Sequence, residues 1–161
     1  MKTLIIKSSI LGDNSHTKEL VDHLVARIQK ADPAGTITVR DLGTEPIPYL
    51  DGAVIGALFT PADARSDVQK HIVAASDALI AELKGADRVV FAVPVYNFSL
   101  PAQFKSYIDA VARAGETFRY TPEGVPEGLV KGKEVIVLTA RGGKAEGTSA
   151  DTLPPYLRQI L

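Results

Sequence analysis

The chain has 161 residues, 45% of them apolar and 23% charged, with a net charge of -1 and no cysteine. That length carries one ordinary domain with a real core, and residues 1–161 are read as a single domain. The near-neutral charge leaves no basic excess to neutralise nucleic-acid phosphates, and the lack of cysteine excludes disulfides, thiol nucleophiles and sulfur-bound metals.

The N-terminal apolar run is interrupted by Lys7, too early for a secretion signal. No apolar run reaches membrane-spanning length. A cytoplasmic address is the simplest expectation. Strand one is predicted over Thr3 to Ser8. A helix follows from Ser15 to Lys30, with Leu20, Leu24, Val25 and Ile28 as its apolar face. Asp32-Pro33-Ala34-Gly35 stops it. Thr36 to Arg40 alternates and is β-branched, which predicts strand two. A short helix is expected near Gly52 to Leu58, then a longer one over Ser66 to Leu83 with Val68, Ile72, Ala75, Leu79 and Leu83 inward. Asp87 to Val93 is strand three, apolar throughout. Pro101 to Ala114 is helical, with Phe104, Tyr107, Ile108 and Val111 as a stripe that reads as core rather than interface. Thr117 to Tyr120 and Gly128 to Val130 suggest a small hairpin. Lys133 to Ala140 is strand four, and Asp151 to Leu161 a last helix with Pro154 and Pro155 in its first turn.

Strands one, three and four are near-continuous apolar runs, the pattern of parallel strands covered on both faces. Alternation of strand and helix then predicts a doubly wound parallel α/β sheet. In such sheets ligands bind beyond the carboxyl ends of the strands. Three loops therefore matter.

The first, Ser8 to Thr17, is crowded with hydroxyls and leads into a helix N-terminus, an anion-binding place. It lacks both the GxGxxG and the GxxxxGK[ST] patterns, so it suits a single phosphate rather than a dinucleotide or triphosphate. The plainer reading is that Asn14 or Ser15 only caps the helix. The second, Pro94-Val95-Tyr96-Asn97-Phe98, breaks off a buried strand with two aromatics and an amide. It offers flat walls and N–H groups to a planar ring; the plainer reading makes Tyr96 and Phe98 satellite core. The third, Ala140-Arg141-Gly142-Gly143, permits close backbone approach, or is merely a turn. Together the loops offer a phosphate corner, a stacking wall and a close edge at one end of a sheet, which fits a mononucleotide with a wide aromatic ring.

Lys7-Ser8-Ser9-Ile10-Leu11 with Ser15-His16-Thr17, Thr38-Val39-Arg40-Asp41-Leu42, Pro46-Ile47-Pro48, Pro94-Val95-Tyr96-Asn97-Phe98, Val111-Ala112-Arg113-Ala114-Gly115, Thr117-Phe118-Arg119-Tyr120 and Arg141-Gly142-Gly143 resemble the FMN-dependent NADH-azoreductases, flavodoxin-like NAD(P)H:quinone and azo-dye reductases. The likeness runs the length of the chain. It implies a flavodoxin-like fold, bound FMN, and a homodimer that passes electrons from NAD(P)H to quinones or azo compounds by a ping-pong mechanism. It implies that Ser9, Ser15, His16 and Thr17 hold the FMN phosphate. Pro94, Val95, Tyr96, Asn97 and Phe98 would contact the isoalloxazine, and Ala140, Arg141, Gly142 and Gly143 its pyrimidine edge. Tyr120 would shape the substrate mouth from the dimer partner. No catalytic side chain is nominated, because the cofactor carries the hard chemistry. The three histidines give no ligand pair, so no metal site is expected. The alternative reading is a flavodoxin-type electron carrier with no small substrate of its own; such carriers present an acidic face, which a net charge of -1 disfavours.

In the resembled family the fold continues with a further strand and helix, which are apparently missing after residue 161. Strand four is then expected to be a bare apolar edge, and such edges aggregate.

Overall fold

The computed structural model describes residues 1–161. Four strands form one parallel sheet: β1 (Lys2–Lys7), β2 (Thr36–Asp41), β3 (Arg88–Ala92) and β6 (Glu134–Leu138), in the order β2-β1-β3-β6. β1 pairs with β2 from Lys2↔Thr36 to Lys7↔Asp41, and with β3 from Thr3↔Arg88 to Lys7↔Ala92. Successive connections leave β1 toward one edge and return to its other side. The order therefore reverses between β1 and β3, and in sheets of this kind ligands bind above the carboxyl ends at that reversal.

The two faces of the sheet bury different sets of residues. Leu4, Ile6, Val89, Phe91 and Val93 face α3 (Asp67–Gly85), α4 (Ala102–Val111) and α5 (Leu153–Ile160) in the larger core. Ile5, Val90 and Ala92 face Val21 of α1 (His16–Ala31). This two-sided burial is why β1 and β3 read as unbroken apolar runs; each fully buried Ile or Val contributes about 1.5–3 kcal/mol. Phe104 stacks on Tyr107 at 6.4 Å and meets Phe91 edge-on at 5.6 Å, fixing α4 over β3. All four residues of the predicted α4 stripe are buried.

Two helix faces differ from expectation. In α1 Val21 is buried together with the predicted Ile28, and Leu24 and Val25 pack at the margin of the core, while Leu20 is exposed. In α3 the buried residues are Val73, Ser76, Leu79 and Ile80, with Val68 exposed. Ser76 is accepted there because its hydroxyl donates to the Ala110 carbonyl of α4 at 2.6 Å. The periodicity placed Ala75 inward; Ala75 is exposed, and its polar neighbour Ser76 is buried instead.

The short helix α2 spans Gly52–Phe59. The hairpin pairs β4 (Phe118–Tyr120) with β5 (Pro126–Gly128), two residues earlier than predicted for the second strand. Gly124, at φ 80°, closes the turn, and Pro126 can begin an edge strand because its missing N–H is not needed there. β6 forms the other edge of the main sheet, with Val135 and Val137 exposed, as expected for strand four. Beside it runs an apolar groove of about 450 Å³ lined by Leu83, Val89, Tyr107, Val135 and Ile160.

Candidate functional site

The carboxyl ends of β1, β3 and β6 carry the three loops, and hydrogen bonds tie their tips together. Ser8 donates its backbone N–H (3.2 Å) and its hydroxyl (3.0 Å) to the Ala92 carbonyl, so the first loop starts flush with the end of β3. Ser9 Oγ lies 3.0 Å from the Tyr96 hydroxyl, joining the first loop to the second. Val95 donates to the Ala140 carbonyl at 2.9 Å, joining the second to the third. Ser9, Tyr96 and Ala140 are thus parts of one surface, with Asn97 and Gly142 one and two residues beyond.

The first loop ends in α1. Ser15 is its N-cap, accepting the Lys18 N–H at 3.3 Å, and its hydroxyl also meets Thr17 Oγ1 at 2.9 Å. The capping reading of Ser15 is therefore correct as far as it goes. The N–H groups of His16 and Thr17 donate to nothing within the chain. They are open donors at the positive end of a sixteen-residue helix. The nearby cations are committed. Lys18 is paired to Asp22 at 2.7 Å, a bond that raises its pKa, and Lys7 to Asp41 at 2.6 Å. The His16 side chain is 81% exposed beside Glu19, so this residue serves the corner through its backbone. An anion here meets neutral donors and a helix dipole, the combination that holds a phosphate.

The second loop is a tight turn. Tyr96 and Ser99 exchange backbone hydrogen bonds of 2.9 and 3.0 Å. Between them Asn97 and Phe98 have φ of 49° and 65°. Asn tolerates that region; a bulky residue such as Phe does not, and this strain costs about 1–3 kcal/mol. Phe98 is also 74% exposed. A strained, exposed aromatic gains nothing from the fold itself. Ile10 and Leu11 in the neighbouring first loop are exposed as well, so apolar side chains stand on both of these loops, as at surfaces that meet a ligand. The N–H groups of Asn97 and Phe98 are also without acceptors in the chain.

In the third loop, Gly142 and Gly143 have ordinary φ, and a Cβ at either would touch nothing. No neighbour in the chain requires glycine at these positions, so they are free to admit a ligand against the backbone. The Arg141 guanidinium is held by Asp151 at 2.7 Å, both side chains largely buried, which braces the loop rather than offering a free cation. Thr152 donates its hydroxyl to the Phe98 carbonyl. Sequence reasoning missed these two residues because they looked like the start of the last helix. α5 begins at Leu153, and Thr152 makes no cap bond. It also missed Gly43, whose Cβ would sit 2.3 Å from the Ser9 carbonyl oxygen. The loop after β2 thereby supports the phosphate corner from behind.

Tyr120 does not join this group. α4 starts at the carboxyl end of the sheet and runs back to the amino end, where the hairpin follows it and leads into β6. Tyr120 projects there, 63% exposed and edge-on to Phe118 at 5.5 Å.

A planar ring bearing one phosphate fits these residues. Open N–H groups at His16 and Thr17 suit the phosphate, and the Asn97–Phe98 turn and paired glycines suit a flat ring with polar edges. No cluster of His, Cys, Asp or Glu able to hold a metal is present.

The family model for the flavodoxin-like fold matches residues 1–161. The FMN-dependent NADH:quinone oxidoreductase of Bordetella petrii is 69% identical over the whole chain, which spans 77% of that relative. Its counterpart in Pectobacterium atrosepticum is 54% identical over 99% of the chain and 79% of the relative. Among solved structures, an azoreductase from Bacillus anthracis superposes with a TM-score of 0.89 at 31% identity, covering 99% of this chain and 79% of that one. An FMN-dependent NADH-azoreductase from the same species, in complex with FMN, gives 0.89 at 25% identity over 99% and 80% of the two chains.

Proposed function

The chain belongs to the flavodoxin-like family of FMN-dependent NADH:quinone oxidoreductases and azoreductases, and we propose that it acts as one domain that binds FMN above the carboxyl ends of β1, β3 and β6. The single observation that carries this placement is the hydrogen-bonded chain Ser9–Tyr96 and Val95–Ala140, which brings all three loop tips to one surface.

Ser9, Ser15, Thr17 and the N–H groups of His16 and Thr17 hold the phosphate. Pro94 and Val95 root the wall loop on β3, and Tyr96, Asn97 and Phe98 form the wall itself. Ala140 to Gly143 line the opposite edge by backbone. FMN bound there supplies hydride acceptance from NADH and electron delivery to a quinone or azo compound. The open N–H groups of Asn97, Phe98, Gly142 and Gly143 would present positive dipoles to a ring held there, which would favour its electron-rich reduced form. The rim of Ile10, Leu11 and Phe98 excludes water and receives a flat, apolar acceptor. No side chain is needed as a general acid. Reductant and acceptor take turns at this one opening, a ping-pong order.

The working form is a homodimer in the cytoplasm. Tyr120, exposed at the opposite end of its own sheet, would shape a substrate mouth in a second copy of the chain, not in its own. No helix is long and apolar enough to cross a membrane.

The test is direct. The purified chain is reconstituted with FMN, its visible spectrum recorded, and NADH then supplied with menadione or an azo dye. A yellow protein that oxidises NADH only when acceptor is present is expected. A yellow protein inert to NADH is a carrier, and a protein that takes up no FMN refutes the site.

A further inference from the structure

The Ser9–Tyr96 contact has a hydrogen count that points outward. Ser9 Oγ lies 3.0 Å from the Tyr96 hydroxyl and accepts the Leu11 N–H at 3.3 Å. The Tyr96 hydroxyl accepts the Ile10 N–H at 3.3 Å. Each hydroxyl owns one hydrogen. One of the two is used in the bond between them, and the other has no acceptor in the chain. Ser9 is only 7% exposed, so the spare hydrogen, when it is the serine's, sits at a nearly buried place in the loop that enters α1. An uncommitted donor in such a place is a cost unless a ligand takes it.

An anion at the corner resolves which way the pair is arranged. With Tyr96 donating to Ser9, the serine has its acceptor sites occupied by Leu11 N–H and Tyr96 O–H, and its own hydrogen is turned to the anion. Hydrogen bonds in series polarise one another, and the last of them, to a charged oxygen, is strengthened.

We propose that Tyr96 is a positioning residue of the phosphate corner: through its hydroxyl it orients the Ser9 hydroxyl toward phosphate, and so makes the chain select FMN over the unphosphorylated flavin, riboflavin. This rests on the FMN reading given above. It gives a ring-wall residue a second task, because the same side chain that borders the flat site also reads whether the flavin carries a phosphate.

The experiment titrates the apoprotein of the full chain with FMN and with riboflavin, following flavin fluorescence. Tyr96→Phe keeps the aromatic ring and removes only the hydroxyl. FMN affinity is expected to fall by about tenfold, the size of one lost charge-assisted contact, with riboflavin affinity held within about twofold. In a Ser9→Ala background the same Tyr96→Phe change is expected to add almost nothing, since it acts through Ser9. The proposal is overturned if FMN and riboflavin affinities fall together, if FMN affinity does not change, or if the two substitutions act additively. A fall in melting temperature that tracks a loss of riboflavin binding assigns the hydroxyl to the fold and also overturns it. A wild-type chain that binds neither flavin defeats the FMN reading itself, a result seen before any variant is made.

Discussion

Thr152 donates its side-chain hydroxyl to the carbonyl of Phe98, tying the loop after β6 to the strained turn after β3. Phe98 is at φ 65°, where a bulky residue is unfavourable. The turn persists because its neighbours hold it: Tyr96 and Ser99 close it internally and Thr152 restrains it from outside. Thr152→Val removes that restraint with little change in volume. It is expected to destabilise the protein by about 1 kcal/mol, the net worth of one hydrogen bond, and to weaken FMN binding by about fivefold. Thr152→Ser should restore both. Melting temperature and flavin titration read the two effects; a serine variant as poor as the valine variant would remove the hydroxyl from the account.

Phe98→Gly separates stability from binding. Glycine accepts positive φ without strain, and Asn-Gly is the favoured pair for a turn with both central residues left-handed. The variant is expected to gain about 1 kcal/mol in stability. It should also lose FMN affinity, because the exposed ring is the wall. A variant less stable than the parent would show that Phe98 packs within the fold after all.

Asn97→Ala and His71→Ala form a paired comparison. Asn97 lies in the turn at φ 49°, with an N–H that has no acceptor in the chain. His71 is exposed on α3 and belongs to none of the three loops. Alanine at the left-handed position costs about 1 kcal/mol and removes the amide, so flavin affinity should drop by about tenfold. His71→Ala should leave it unchanged. Equal losses in the two variants would take Asn97 out of the site.

Two glycines divide the same way. A Cβ on Gly43 meets the Ser9 carbonyl oxygen at 2.3 Å, so Gly43→Ala must push the first loop off its position. About 1–3 kcal/mol of stability should be lost, together with FMN affinity. A Cβ on Gly142 meets nothing, so Gly142→Ala should change stability by less than about 0.5 kcal/mol while still weakening FMN binding. Unaltered flavin affinity in Gly142→Ala would mean that no ligand approaches that backbone.

The sequence made β1, β3 and α4 readable because each buries a contiguous or strictly periodic set of side chains. It misled at α1 and α3, where Leu20 and Val68 fit the spacing but face water, and where Ser76 is buried by a hydrogen bond to another helix. The site followed the same division. Ser9, Tyr96 and Asn97 drew notice because hydroxyls, an amide and aromatics are poor choices for a plain connection. Gly43, Asp151 and Thr152 did not, since each has a meaning only through a residue remote in the chain. Gly43 answers to Ser9, Asp151 to Arg141 and Thr152 to Phe98. Thr152 stands at the N-cap position of α5 but makes no cap bond, so its side chain is free for Phe98.

The hairpin that carries Tyr120 has a pH dependence of defined sign. Glu127 accepts from Lys131 at 2.7 Å and from Arg119 at 2.9 Å. Those bonds, the lysine's foremost, hold its carboxyl below the usual range. A carboxyl lowered on folding binds fewer protons in the folded state than in the unfolded one, so its contribution grows as pH rises through that window. The contribution is complete above the unfolded value of about 4.3 and is lost as pH falls through the lower folded value. Protection factors of the amides across β4 and β5, taken relative to the intrinsic exchange rate at each pH, should therefore fall as the pH drops below the unfolded value, ahead of those in β1 and β3. Glu127→Gln should remove that step and lower the hairpin's protection at neutral pH by a modest factor, as befits an exposed ion pair. A hairpin whose protection is the same in both proteins at neutral pH would show that the ion pairs do not hold it.

The exposed edge of β6 gives the last expectation. Val135 and Val137 lie on the α4 face of an unpaired edge strand, beside an apolar groove. Such an edge offers free backbone groups and apolar side chains to any other chain with the same defect, and a lysine on it is the usual natural remedy. Val135→Lys is expected to suppress concentration-dependent association beyond a dimer while changing stability by less than about 0.5 kcal/mol, because the residue is already half in water. FMN binding should be unaffected, since Val135 lies near the amino end of β6 and the flavin loops at the other. Light scattering across a concentration series reads this; growth in particle size that is identical for the variant and the parent would place the sticky surface elsewhere, the apolar rim at Phe98 being the next to test.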